Sequence, residues 1–227
     1  IKKHSTATLS LMAPLLLNVS SALTESSKIL PEGAKMSLSD MKFGEEATRA
    51  YPFKWISVTT ADGQFHPGLR FVFTADESAM DITFSNGNGS ILCRLADSNV
   101  QVNHVVAMLE AELKKVLGPT EAHLLAPLKK QPTSYLYDPA LSVKTRKTAI
   151  DTNQSSPNAE LTRGHTLTRY VITVQRISFY KGTYYAGLNL TACVIQPSTK
   201  RVGGSSACGG ETDSDFFDMM AVSEVST

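Results

Sequence analysis

A chain of 227 residues that is 42% hydrophobic and 19% charged can bury one sizeable core or two small ones. Its formal net charge of +1 excludes a uniformly basic or acidic protein, and its three cysteines are too few for a small disulfide scaffold. No apolar run reaches the ~20 residues that a membrane-spanning helix needs.

The small net charge conceals three blocks. Residues 23–113 carry 7 Lys/Arg against 12 Asp/Glu, residues 114–201 carry 13 against 4, and the tail from Val202 carries five acids and no base. A basic middle block can attract an anionic partner, or it can be a solvated face neutralised by the tail.

The chain opens IKKHSTATLSLMAPLLLNVSSA. Lys2 and Lys3 precede an apolar stretch containing Leu9, Leu11, Met12 and Leu15 to Leu17, and Ser20 and Ala22 are small residues before Leu23. That sequence of features predicts a secretory signal peptide over residues 1–22. It implies export to a periplasmic or extracellular space, with residues 23–227 as a single domain. The competing expectation is a buried helix or strand at the edge of that domain.

KWISVTT, from Lys54, reads as a strand, and the breaker run ADGQFHPG follows it. LRFVFT, AMDITFS and SILCRL come next at short spacing. Met80, Ile82 and Phe84 alternate with Asp81 and Thr83, the period of a half-buried strand. Asn86-Gly87 supplies a hairpin turn, so residues 54–95 predict an antiparallel meander. A helix follows over SNVQVNHVVAMLEAELKKVLGP. Val102, Val105, Val106, Leu109, Leu113, Val116 and Leu117 form its stripe, Ser98 and Gln101 make a candidate capping box, and Gly118-Pro119 stops it.

Residues 119–165 form a basic insertion, with an element expected near Ser134–Val143 and a mobile stretch near Thr152–Glu160. RYVITVQRISFYKGTYYAGLNLTACVIQP then reads as a long hairpin turning at Lys181-Gly182, with Phe179, Tyr180, Tyr184 and Tyr185 at its tip. DSDFFDMMAVSEV closes the chain as a short helix. The fold class expected is α+β: the meander and the C-terminal hairpin pack against one amphipathic helix, with a short C-terminal helix.

No catalytic motif emerges. G-x-S-x-G, the phosphate-cradling P-loop and H-E-x-x-H are all absent, and the acids at 213, 215 and 218 lack the glycine of a calcium loop. No metal or other cofactor is expected. Cys193 and Cys208 are a candidate disulfide pair in an oxidising compartment, leaving Cys93 as a buried thiol. The candidate binding residues are Lys129, Lys130, Lys144, Arg146 and Lys147 of the basic segment, with Tyr180, Tyr184 and Tyr185 of the hairpin tip. Together these features predict an exported, non-enzymatic accessory protein that meets a protein or an anionic envelope component, and no nucleic acid. The alternative is a secreted hydrolase whose site brings His66 or His165 to a distant Ser, Cys or carboxylate.

Overall fold

Strands alternate with tight turns through most of the chain because apolar residues recur every second position and Gly- or Asp-containing breakers separate them. The computed structural model describes residues 13–20, 23, 25–40, 53–85, 89–133, 136–145, 148–152 and 161–198. In chain order they form β1 (Leu15–Val19), β2 (Lys35–Asp40), β3 (Phe53–Thr59), β4 (Phe65–His66), β5 (Leu69–Phe73), β6 (Met80–Ser85) and β7 (Ser90–Arg94). Helix α1 (Val100–Leu117) follows, then β8 (Lys129–Lys130), β9 (Ala140–Lys144), β10 (Ala149–Thr152), β11 (His165–Tyr180) and β12 (Thr183–Pro197).

All twelve strands belong to one sheet, and part of it closes on itself. β6 pairs with β7, β7 with β9, β9 with β12, β12 with β11, and β11 returns to β6. The β9–β12 step is parallel and the other four are antiparallel. Numbered by chain order, these five strands run 1-2-3-5-4 around a closed ring. That is a five-stranded Greek-key barrel of the OB-like kind. β11 makes closure possible. It is 16 residues long, and its register against β12 shifts near Leu167, Val171 and Val174, so it bends as bulged strands do. Its start pairs with β6, its middle with β5 and its end with β3.

The expected α+β layering is therefore corrected. The meander and the long hairpin are not separate pieces laid on a helix; they are walls of one barrel, and the core is its interior. Met80, Ile82, Ile91, Cys93, Leu141, Val143, Leu167, Tyr170, Leu190, Cys193 and Ile195 are buried together there. α1 adds Val102, Val105, Val106, Leu109 and Leu113 to the same core, the stripe that its periodicity predicts. Its start differs from expectation. Asn99, not Ser98, is the N-cap, and its side chain makes no bond to the first turn. Its Oδ1 accepts instead from the Ala96 N–H at 2.9 Å. The stop at Gly118 is as predicted, with φ +78° and its N–H donating to the Lys114 carbonyl.

Three further expectations change or pass out of reach. Leu15–Val19, inside the expected signal peptide, form a strand parallel to β5, and Val19 is buried in the core. The element expected near Ser134–Val143 is the strand β9. The C-terminal helix, residues 153–160, and Cys208 lie outside the described residues. Cys93 and Cys193 are buried free thiols.

Candidate functional site

Beyond the barrel, β3 and the tip of the β11–β12 hairpin continue as a three-stranded wing. Register assigns its side chains to faces, since residues directly opposite each other share one. Phe53 lies opposite Ser178, which lies opposite Tyr185; Trp55 lies opposite Arg176. The alternating residues Ile177, Lys54 and Ala186 point the other way. One face thus carries Phe53, Trp55, Arg176, Ser178, Tyr180 and Tyr185, with Ser178 as a low floor between two rings.

These side chains are arranged against one another. Phe53 and Trp55 meet edge to face at 5.8 Å, and the Arg176 guanidinium lies over the Phe53 ring at 5.2 Å. At the turn, Lys181 Nζ stands 5.3 Å from the Tyr180 ring centre. Tyr180 and Tyr185 are 39% and 36% exposed, enough for a planar ligand to cover them. The same face continues down β5 and β11 through Arg70 and Thr173, which are paired across the two strands. β3, β5, β11 and β12 contain no Asp or Glu, while they carry Arg70, Arg169 and Arg176 besides the inward-turned Lys54. Such a surface presents positive potential and aromatic faces together.

The wing's inner face is occupied by its own partners. Tyr184 Oη donates to Glu121 Oε2 at 2.9 Å, and the Tyr184 ring lies 4.6 Å from that of Phe179. Burial, then the Glu121 carboxylate, raises the Tyr184 phenol above its ordinary range. Lys54 Nζ pairs with Asp40 at 2.9 Å, and that hydrogen bond raises the ammonium above its usual value.

The described residues among those expected to bind lie in several places. Tyr180 and Tyr185 are on the outer face, whereas Tyr184 is buried beneath it. Lys129 donates to Asn103 Oδ1 of α1 at 3.0 Å, so it braces the helix. Lys130 is half-buried, and desolvation lowers its ammonium below the usual range. Lys144 sits on the barrel wall opposite Asn189 and Ser90. Arg146 and Lys147 lie outside the described residues. The histidines offered to a hydrolase are engaged locally: His66 Nδ1 meets the Ala13 carbonyl, and His165 Nδ1 meets the Thr162 hydroxyl. Among the described residues neither contacts a Ser, Cys or carboxylate by hydrogen bond, and no cluster of three His, Cys, Asp or Glu could hold a metal.

Sequence reading passed over Phe53, Trp55, Arg70, Arg169 and Arg176. Their signal was available as acid-free strands with Arg176, Ser178 and Tyr180 at alternate positions, but it was masked by counting charge in segments.

No family model matches the chain, and no curated protein matches it. Solved structures do overlap it. The single-stranded DNA-binding protein from bacteriophage Enc34 is 12% identical with a TM-score of 0.41, covering 80% of this chain and 99% of its own. Its C-terminal truncation gives 12% and 0.40, covering 74% and 97%. The same protein in complex with ssDNA gives 12% and 0.35, covering 73% and 98%. Overlap at these scores is loose. The expectations of an exported envelope accessory, a secreted hydrolase and a partner other than nucleic acid are nonetheless corrected. Among the described residues, Leu15–Val19 of the expected signal form a strand paired with β5, neither histidine meets a Ser, Cys or carboxylate by hydrogen bond, Lys129 braces α1, and the strands of the wing carry rings and cations without carboxylates.

Proposed function

We propose that this chain binds single-stranded nucleic acid on the outer face of its wing and barrel. One observation carries the reading: Trp55, Phe53 and Tyr185 flank Arg176 on strands that hold no carboxylate. Unpaired bases expose flat apolar faces that stack on aromatic rings, and each linkage between them brings a negative phosphate. A surface meeting both needs must offer rings and cations side by side, without acids to repel the backbone. In a duplex the base faces are already stacked on each other, so the rings would have nothing to receive. Closed five-stranded barrels of this kind offer such a face on their outer wall.

The test is fluorescence anisotropy of labelled oligo-dT titrated with the protein at several salt concentrations. Saturable binding that weakens as salt rises, with a clear preference over duplex of equal length, is the expected result. Absence of binding at low salt, or equal affinity for duplex, would overturn it.

A further inference from the structure

A second feature of the outer face runs at right angles to the strands. Leu16 of β1 lies opposite Arg70 of β5, Arg70 opposite Thr173 of β11, and Thr173 opposite Asn189 of β12. Asn189 lies opposite Lys144 of β9, and Lys144 opposite Ser90 of β7. Six strands thus contribute one residue each to a single transverse row. Five of the six side chains are polar, the two cations are separated by a hydroxyl and an amide, and the row holds no acid. On either side of it along the strands the wall turns inward to core residues such as Phe71, Ile172, Val174, Leu188 and Leu190. With neighbouring strands ~4.8 Å apart, Arg70 and Lys144 are about 14 Å from each other across the barrel wall.

Arg70 adds an independent sign. Its Nε is buried without a hydrogen-bond partner, and no ion pair with it occurs among the described residues. A buried guanidinium N–H left without an acceptor is costly, and it calls for an explanation. Because Nε is closed to solvent, it is the terminal N–H groups of this half-buried side chain that would meet a phosphate oxygen, the acceptor a guanidinium fits best.

We infer that the row Arg70–Thr173–Asn189–Lys144 is the track of the phosphodiester backbone, so that the bound strand lies across the β-strands and not along them. This rests on the reading of the outer face as a single-strand binder. In this placement Arg70 and Lys144 hold phosphates, Thr173, only 5% exposed, is the floor between them, and Asn189 donates to a backbone oxygen. The aromatic row begins at Trp55 and Arg176. It lies three residues further along β11, about 10 Å away at strand rise, and receives the bases.

The experiment measures oligo-dT affinity against salt for wild type, Arg70→Gln, Lys144→Gln, Asn189→Asp, Trp55→Ala and Lys115→Gln. Thermal melting checks that each is folded. Each lost row cation should lower the slope of log affinity against log salt by about 0.7, the value per phosphate for single strands. Asn189→Asp places a carboxylate midway along the track and should weaken binding about tenfold or more, as like-charge juxtaposition does. Lys115, 77% exposed on α1 beside Glu112, should matter little. Trp55→Ala should weaken affinity with the slope retained. The track is overturned if folded Arg70→Gln and Lys144→Gln keep the wild-type slope and Asn189→Asp binds normally while Trp55→Ala still weakens binding. If the wild type itself does not bind, the underlying reading fails instead.

Discussion

On the inner face of the wing, each polar group has an answering one: Tyr184 donates to Glu121, and Lys54 pairs with Asp40. On the outer face the residue types are the same, aromatic and cationic, and among the described residues they meet one another, as with Arg176 over Phe53 and Phe53 against Trp55. The two faces come from the same three strands and differ by one residue of register. Composition therefore cannot separate them. What separates them among the described residues is a carboxylate supplied by a neighbouring element: Glu121 after α1 and Asp40 of β2 both meet inner-face groups. Cations that meet acids within the fold serve stability; cations and rings left without acids are available to a ligand.

The sharpest way to break this contrast is to delete one ring from each face. Trp55→Ala removes a stacking surface from the outer face and should weaken oligo-dT binding by about 1–3 kcal/mol, or roughly 5- to 150-fold. Phe179→Ala removes a ring that is 40% exposed from the inner face and should leave binding unchanged. Equal losses in anisotropy titrations would mean that the faces are not distinct. Arg176→Gln should give the next largest effect, a several-fold loss with a salt slope lower by about 0.7. Lys54→Gln, its inner-face counterpart, should leave that slope as it is.

The same contrast explains what could be read in advance. β5, β6, β7, the hairpin and α1 follow from periods of 2 and 3.6 and from turn residues, which are local signals. Closure of the barrel is not local. It depends on β11 exchanging partners along its length at bulges, and on β9 meeting β12 in parallel from 45 positions away, at Lys144 and Asn189. Neither has a short-range signature. Leu15–Val19 misled because an apolar run after two lysines suits a signal peptide and an edge strand equally well. At the site, the hairpin-tip aromatics were legible, but not which of them faced out. Adjacent Tyr184 and Tyr185 look alike in sequence and lie on opposite faces. Nor does sequence show that Lys129, near other bases along the chain, bonds to Asn103 of α1.

A smaller effect probes the inner face from the side of stability. Tyr184→Phe keeps the ring against Phe179 and removes only the bond to Glu121. Urea unfolding should show a loss of about 1 kcal/mol, the usual worth of one such bond. Oligo-dT affinity should be unchanged, because Tyr184 is beneath the binding surface. A variant of normal stability but weakened binding would place the Tyr184–Glu121 pair in the ligand's path.

The smallest expected effect separates the barrel interior from both faces by pH. Burial pushes the Cys193 thiol up to about 12, and burial raises Cys93 further still. Burial also holds the Tyr170 phenol well above its ordinary range, with its Oη donating to the Ser78 carbonyl at 2.6 Å. In the unfolded chain the thiols ionise near 9 and the phenol near 10. The folded state therefore holds more protons than the unfolded one above pH 9, and stability must fall as pH rises. Full stability is expected below about pH 9, with a progressive decline from there toward 12, visible in melting temperatures. Cys93→Ala with Cys193→Ala should flatten the part of that decline that begins near 9. The binding face relies on guanidinium groups, which as a class are not deprotonated in proteins, so binding by the folded protein should stay level from pH 7 to about 9. Stability that declined with pH while affinity held would assign the titrating groups to the interior and the permanent charges to the binding face.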